Sequence, residues 1–340
     1  MTQSKLGVSY FGVRNPDHVD VDLRRMVEAG CSVVLHTFSE EDLRFYPGTM
    51  KEIVTLSKRY GLEVYLDPWG VGGVFGGEAF TQFALENDEA RQVLSNGRKA
   101  PAACPNHPKF HEFMKSWVRT AVDLGADTVF LDEPHFWSPS FLGLPHEAWA
   151  CRCEHCQDAF QRVFGKPMPE RFTSQVREFQ ELSLRSFLEE LAREAKRSRA
   201  KVALCLLPDW EGKDTVSERW AHFAKLPPLD IFGTDPYWMW AGKNFSDFEF
   251  FVRVTVELAE GYGKEPQIWV QACKVKAGQE EWVRKSVERA WELGVRNIMA
   301  WSFLGTPYMT WVRSDRPCQV WEELVAAFRA IREKEVHILG

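Results

Sequence analysis

Strand-like and helix-like segments alternate along the whole chain, and this alternation constrains the fold more than any other feature. Eight apolar, β-rich stretches are each followed by a segment with helical spacing, and glycines such as Gly30, Gly61 and Gly125 end several of the helices. Parallel strands joined by helices form either a closed barrel or an open, doubly wound sheet. An open sheet usually carries a glycine-rich phosphate turn after its first strand, where this chain has Val13-Arg-Asn-Pro16. The pattern therefore predicts an α/β protein with a (β/α)8, or TIM, barrel.

Two stretches interrupt the alternation and indicate how the chain is organised. Gly70–Ala103, after the third strand, is rich in glycine and is predicted to be a long loop. Ser138–Met168, after the fourth strand, is predicted to be a cysteine-rich insertion. Because a chain of 340 residues suits a large barrel, we expect a single domain over residues 1–340 with residues 138–168 inserted in it.

Composition excludes several classes of partner. A formal net charge of -6 argues against a general nucleic-acid or anionic-membrane binder. The first residues lack the long apolar stretch of a signal peptide, and no other run is long enough to span a bilayer. We therefore expect a cytoplasmic protein whose cysteines stay reduced. The 14 tryptophans and 24 phenylalanines suit either a protein that stacks sugars or a large aromatic core.

The fourth strand ends in two adjacent acids. Its apolar run, Val129-Phe-Leu131, stops at Asp132 and Glu133, and Pro134 then prevents a central strand from continuing. A strand core has no use for two carboxylates. Acids at the C-terminal end of a buried strand are typical of the catalytic face of a (β/α)8 barrel.

Other predicted strands also end in polar or aromatic residues. A barrel brings its strand ends onto one face, so these side chains are predicted to line one pocket. Besides Asp132 and Glu133, they are His36, Asp67, Trp69, Asp209, Trp210, Asp235, Tyr237, Trp238, Gln271, Lys274 and Trp301. Each has a simpler explanation, since Asp before Pro often forms a turn and Trp often packs a core. Four consecutive strands that each end in a carboxylate with an aromatic close behind favour an acid-lined aromatic site.

This combination of residues suits a carbohydrate. Sugar C–H faces pack on Trp and Tyr, while acids and amides bind hydroxyl groups. Cleavage of a glycosidic bond needs two carboxyl groups, one of which protonates the leaving oxygen. Glu133 is the best candidate for this acid because apolar neighbours raise a carboxyl pKa. The second carboxylate is expected to be Asp235, Asp132 or Asp67.

Two strand ends carry a resemblance to a known group of enzymes. Asp132-Glu133-Pro134 is similar to the Asn-Glu-Pro signature of clan A glycoside hydrolases, in which the Glu is the acid/base. Ala300-Trp301-Ser302 also resembles that clan, whose Trp forms the floor of a sugar subsite. The resemblance implies a Glu nucleophile at the end of the seventh strand, but this chain has Gln271 there. An amide cannot form a glycosyl ester, so another carboxylate, an inverting mechanism or loss of hydrolysis would have to follow.

The cysteines narrow the resemblance. Cys151, Cys153 and Cys156 in the insertion, with Cys104 in the preceding loop, are similar to the zinc cluster of family 42 β-galactosidases. Independently, four thiolates bind Zn²⁺ tetrahedrally and can hold a loop that lacks its own core. His107 or His155 remains an alternative for one of the ligands. Such a closed site is expected to be structural.

Two other functions remain open. Gln271 is compatible with a non-catalytic, carbohydrate-binding barrel. A barrel enzyme with metal-dependent chemistry would have to use ligands such as His36, Asp67, His135 and Asp235. In all three cases the expected partner is a small molecule, with no nucleic acid and no membrane, and the chain is a possible homo-oligomer.

Overall fold

The computed structural model describes residues 3–138 and 148–339, which contain a closed barrel of eight parallel strands with helices outside it. The predicted (β/α)8 fold is confirmed. The strands are β1 Lys5–Tyr10, β2 Val33–Thr37, β3 Glu63–Asp67, β4 Thr128–Asp132, β5 Lys201–Leu206, β6 Ile231–Thr234, β7 Glu265–Gln271 and β8 Asn297–Trp301. The helices are α1 Pro16–Glu28, α2 Glu40–Phe45, α3 Pro47–Arg59, α4 Gln82–Glu86, α5 Pro108–Leu124, α6 Glu154–Phe164, α7 Ser174–Arg197, α8 Lys213–Ala224, α9 Phe245–Gly261, α10 Glu281–Glu292 and α11 Pro317–Leu339.

The barrel closes because β1 pairs with both β2 and β8. Gly7 lies opposite Val33 on one side and Met299 on the other. A Cβ at Gly7 would lie 2.4 Å from the Val33 carbonyl oxygen and 2.7 Å from the Met299 sulfur. Only glycine fits between these neighbours, so this position fixes how closely the strands approach at the closure.

The barrel interior is filled by side chains, and its N-terminal end is closed by charge pairs. Tyr65, Phe130 and Trp269 are among the large buried side chains inside the strands. Below them, the Lys5 ammonium lies 3.2 Å from Glu63 and 3.3 Å from Glu265. The opposite end, at the C-terminal ends of the strands, is where (β/α)8 barrels keep their chemistry.

The predicted loop after β3 has secondary structure of its own. It contains α4 and an antiparallel hairpin formed by Arg91–Val93 and Lys99–Ala103. The predicted insertion contains α6, and its residues 139–147 lie outside the described residues. None of the described helices is long and apolar enough to cross a membrane.

Candidate active site

Three strand ends bring four carboxyl groups together at the C-terminal face. Asp67 ends β3, Asp132 ends β4 and is followed by Glu133, and Asp235 follows β6. Asp67 and Asp235 are buried, whereas Asp132 and Glu133 are partly exposed. Among the described residues, neither oxygen of Asp67 has a hydrogen-bonding partner, and neither does Oδ1 of Asp235. Buried polar atoms are nearly always paired in folded proteins, so these orphaned carboxyl oxygens are candidates for binding a ligand.

The three aspartates resist ionisation. Burial, and next the charge of Glu133, raise the pKa of Asp67, Asp132 and Asp235 well above the usual range. The carboxyl of Asp235 also lies within hydrogen-bonding reach of that of Glu133, which favours its protonated form. Because a second negative charge beside Glu133 is unfavourable, the protonated form of Asp235 is favoured.

Glu133 occupies an unusual backbone position. Its φ of 40° lies in the left-handed region, which non-glycine residues rarely adopt. Its N–H donates to the Cys205 carbonyl of β5 at 3.0 Å, and Pro134 follows. The chain thus turns sharply out of β4. We expected an apolar environment for Glu133, but the described structure gives the fully buried positions to Asp67 and Asp235 instead.

A glycine-rich segment of the loop after β3 lies against the acids. The Gly76 N–H donates to the Asp132 carbonyl at 3.1 Å. A Cβ at Gly76 would lie 2.6 Å from Asp132 Oδ2 and 2.9 Å from Glu133 Oε2. Gly77, at φ 122°, packs on the Trp69 indole, where a Cβ would lie 2.5 Å from its nearest ring atom. Glycine is therefore needed for this backbone to approach both the carboxylates and the indole. No local pattern in the sequence indicates this contact.

The aromatic residues fall into separate groups. Trp69 and Trp301 stack with ring centroids 5.0 Å apart, and Phe11 stacks on both. These rings largely cover one another, which leaves their edges for a ligand. Tyr237 stacks instead on Trp240, which is 45% exposed. Trp240 was not among the predicted residues, because an exposed and a buried tryptophan look alike in sequence.

Four of the predicted pocket residues contact other parts of the fold. His36 is buried with its Nε2 2.8 Å from Ser57 of α3, because it alternates with the inward-facing Val33 and Leu35 and so faces the helices. Asp209 pairs with Arg219 of α8 and accepts from the Gly212 N–H. Trp238 is buried against Phe245 and Trp282. Trp210 packs against Phe251 of α9, with ring centroids 4.9 Å apart.

Gln271 is buried at the end of β7 and uses both halves of its amide. Its Oε1 accepts from the Trp240 N–H at 3.0 Å, and its Nε2 donates to the Cys273 carbonyl at 2.9 Å. Lys274 follows in a left-handed conformation, with φ 49°. Its ammonium lies 3.9 Å from the Trp311 ring centroid and 4.5 Å from that of Trp240. Gln271 thus joins two loops at the mouth of the barrel.

The four predicted cysteine ligands meet in one buried group that can hold a metal ion. The sulfurs of Cys104, Cys151, Cys153 and Cys156 all lie within 4.8 Å of one another. Tetrahedral zinc thiolates with bonds of about 2.3 Å need sulfurs about 3.8 Å apart, so the group fits. Val93 N–H donates to Cys151 at 3.4 Å, and the Asn106 amide donates to Cys156 at 3.2 Å, as suits thiolates.

Histidines are not needed to complete this group. His107 and His155 contact each other, with ring centroids 4.5 Å apart, while four thiols already converge. In the part of the chain that the structure describes, no other set of three or more such side chains converges this closely. His36, Asp67, His135 and Asp235 therefore do not form a comparable group.

Comparisons with known proteins agree with this fold. No protein-family model and no curated protein sequence matches the chain. The barrel superimposes on the β-galactosidase of Bacillus circulans sp. alkalophilus with a TM-score of 0.69 and 13% identity, covering 97% of this chain and 56% of that one. For the Marinomonas ef1 β-galactosidase the TM-score is 0.72 and the identity 11%, with 98% of this chain and 60% of that one covered. The endo-β-1,4-mannanase of Thermotoga petrophila superimposes with a TM-score of 0.59 and 10% identity, covering 98% of this chain and 78% of that one.

The chain spans less than two thirds of the length of those β-galactosidases. At such low identity the likeness shows the fold alone: a barrel of the kind found in glycoside hydrolases.

Proposed function

We propose that this protein is a glycoside hydrolase in which Glu133 is the general acid/base and Asp235 the second carboxylate. The observation that carries the proposal is the group of four carboxyl side chains at the C-terminal ends of three barrel strands, where Asp132 ends β4, Glu133 comes next and Asp235 follows β6. Asp132 lies beside them on β4, and the orphaned oxygens of Asp67 are available for sugar hydroxyls. The glycosidases with similar barrels support the same class of substrate.

The two carboxyl groups supply both functions that hydrolysis requires. Burial favours the proton on Asp235 before substrate arrives. Transfer of this proton to Glu133, the partly exposed member, leaves Glu133 able to protonate the leaving glycosidic oxygen. Asp235 then carries the negative charge next to the sugar carbon that becomes positive. The bond to the leaving oxygen breaks as that oxygen gains the proton, and water supplies the hydroxyl of the released sugar.

Aryl glycosides with different leaving groups test the two roles separately. A 2,4-dinitrophenolate leaves without protonation, whereas a 4-nitrophenolate depends more on the acid. Glu133→Gln should lower kcat for 4-nitrophenyl β-galactoside or β-mannoside by about 10² to 10⁴ and much less for the dinitrophenyl glycoside. Asp235→Asn should abolish turnover of both. Glu257→Gln, an exposed change on α9, is the control. Full activity of Glu133→Gln would refute the assignment.

A second candidate, a carbohydrate-binding barrel without hydrolysis, is favoured by Gln271. Its amide is fully engaged at the strand end where a clan A nucleophile would stand. In this case oligosaccharides would change the tryptophan fluorescence, but long incubation would release no reducing sugar. Release that depends on Glu133 would exclude this candidate.

We also propose that the four-cysteine group binds zinc as a structural ion. Four thiolates close a tetrahedral site and leave no position for a substrate. The group joins the loop after β3, through Cys104, to the segment at Cys151–Cys156. Because the loop after β3 also carries Gly76, the ion would hold this loop against the acids without taking part in the reaction.

A further inference from the structure

We propose that Lys274, Trp240 and Trp311 form a subsite for an anionic group on the sugar, either a carboxylate or a sulfate. The inference rests on the proposed carbohydrate site and specifies its substrate class. The ammonium lies between two indoles, 3.9 Å from the centroid of one and 4.5 Å from the other. Trp240 is 45% exposed and Trp311 70% exposed, so both rings face the solvent at the mouth of the barrel.

The Lys274 ammonium lacks an anionic partner. Among the described residues, no carboxylate lies within 4 Å of it, and it makes no hydrogen bond. Lys285 is a useful contrast, because its ammonium also lies over an indole, 4.4 Å from the Trp282 centroid, but bonds to Glu281 at 2.8 Å. An indole pair holds a cation in place without neutralising it. Lys274 therefore keeps its charge and N–H donors for an anion.

The fold keeps Lys274 in this position at some cost. Its φ of 49° is unfavourable for a side chain with a Cβ, and its N–H donates to the Val312 carbonyl at 2.8 Å. Gln271 links Trp240 to the residue before Lys274, because its amide accepts from the Trp240 N–H and donates to the Cys273 carbonyl. These three bonds fix the lysine relative to both tryptophans.

The subsite lies beside the acids. Trp240 stacks on Tyr237, with ring centroids 6.5 Å apart, and the Tyr237 N–H donates to the Asp235 carbonyl at 2.6 Å. Because β6 and β7 pair, Asp235 after β6 and Lys274 after β7 stand on neighbouring strand ends. A cation at the rim of an acid-lined pocket also offsets the repulsion that an anionic sugar would meet there. The indoles can pack the C–H faces of the sugar while the ammonium binds its anionic group.

The test compares charged and neutral sugars by calorimetry and tryptophan fluorescence. The probes are D-galacturonate, D-galactose 6-sulfate and D-galactose. The wild type should bind at least one of the anions about five-fold more tightly than galactose, and this preference should shrink in high salt. A preference for the uronate alone indicates a carboxylate ligand, and one for the 6-sulfate alone indicates a sulfate.

Variants show whether Lys274 causes the preference for anionic sugars. Lys274→Met should remove the preference for the anion, and Lys274→Arg should retain it. Lys285→Met, which removes the lysine that lies over the Trp282 indole, is the matched control. Equal binding of charged and neutral sugars by the wild type, or a preference that survives in a folded Lys274→Met protein, would overturn the inference. The hydrolysis test stands apart: if Glu133→Gln has no effect on turnover but the preference depends on Lys274, the subsite stands and the catalytic assignment fails.

Discussion

Replacing Gln271 by Glu tests whether this residue is a structural anchor or a vacant nucleophile position. The two side chains have the same shape, but an ionised carboxylate cannot donate to the Cys273 carbonyl, which now accepts from the amide at 2.9 Å. The carboxylate would instead place a negative charge against the Cys273 carbonyl oxygen, at a position where Gln271 is only 2% exposed. A protonated glutamic acid at this position could make both bonds, because its hydroxyl would replace the N–H donor.

The cost follows from proton linkage. Folding raises the pKa of the new carboxyl above its unfolded value of about 4.3, so stability is unchanged below that pH and falls as the pH rises. The loss cannot exceed about 1.4 kcal/mol per pH unit, since the group can stay protonated instead. That limit is about 1 kcal/mol at pH 5 and about 3.7 kcal/mol at pH 7. For a chain of this length, these limits correspond to a fall in the thermal midpoint of about 1 °C at pH 5 and about 5 °C at pH 7.

Thermal unfolding of Gln271→Glu and wild type at pH 5, 6 and 7 measures this difference. Gln279→Glu, in the exposed turn before α10, supplies the control and should follow the wild type at every pH. Turnover of 4-nitrophenyl β-galactoside should not increase. A variant as stable as wild type at pH 7 would refute the anchoring role, and a gain in turnover would show that this strand end accepts a nucleophile.

Three further predictions concern other parts of the site. Cys153→Ser should reduce bound zinc from about one ion per chain and lower the thermal midpoint, as measured by elemental analysis and calorimetry; unchanged zinc content would contradict the site. Gly76→Ala should lower kcat at least about ten-fold because its methyl group would crowd Asp132. Gly48→Ala, which has open space around it, should retain activity. Asp67→Asn should raise the thermal midpoint by an amount that grows from pH 5 to pH 8, because burial raises the Asp67 pKa and its charged form destabilises the fold; a difference independent of pH would contradict this.

The fold and the position of its acids followed from local patterns. Alternating segments and helix-ending glycines are properties of neighbouring residues, and they led to eight strands in the correct order. Asp132 and Glu133 stand where an apolar run ends, and a barrel places every such end on one face. The spacing of Cys151, Cys153 and Cys156 likewise predicted a group that the fold completes with Cys104.

Tertiary structure decided which side chains share the pocket. Barrel strands are buried on both faces, so the sequence does not reveal which alternate residues point inward. Asp67 follows the inward-facing Tyr65 by two residues and enters the site, whereas His36 follows Leu35 by one and faces α3. The partners of Gln271 and the approach of Gly76 depend on contacts between distant loops. Local sequence sets the strand period, but only the packed barrel sets the direction of each side chain and what it meets.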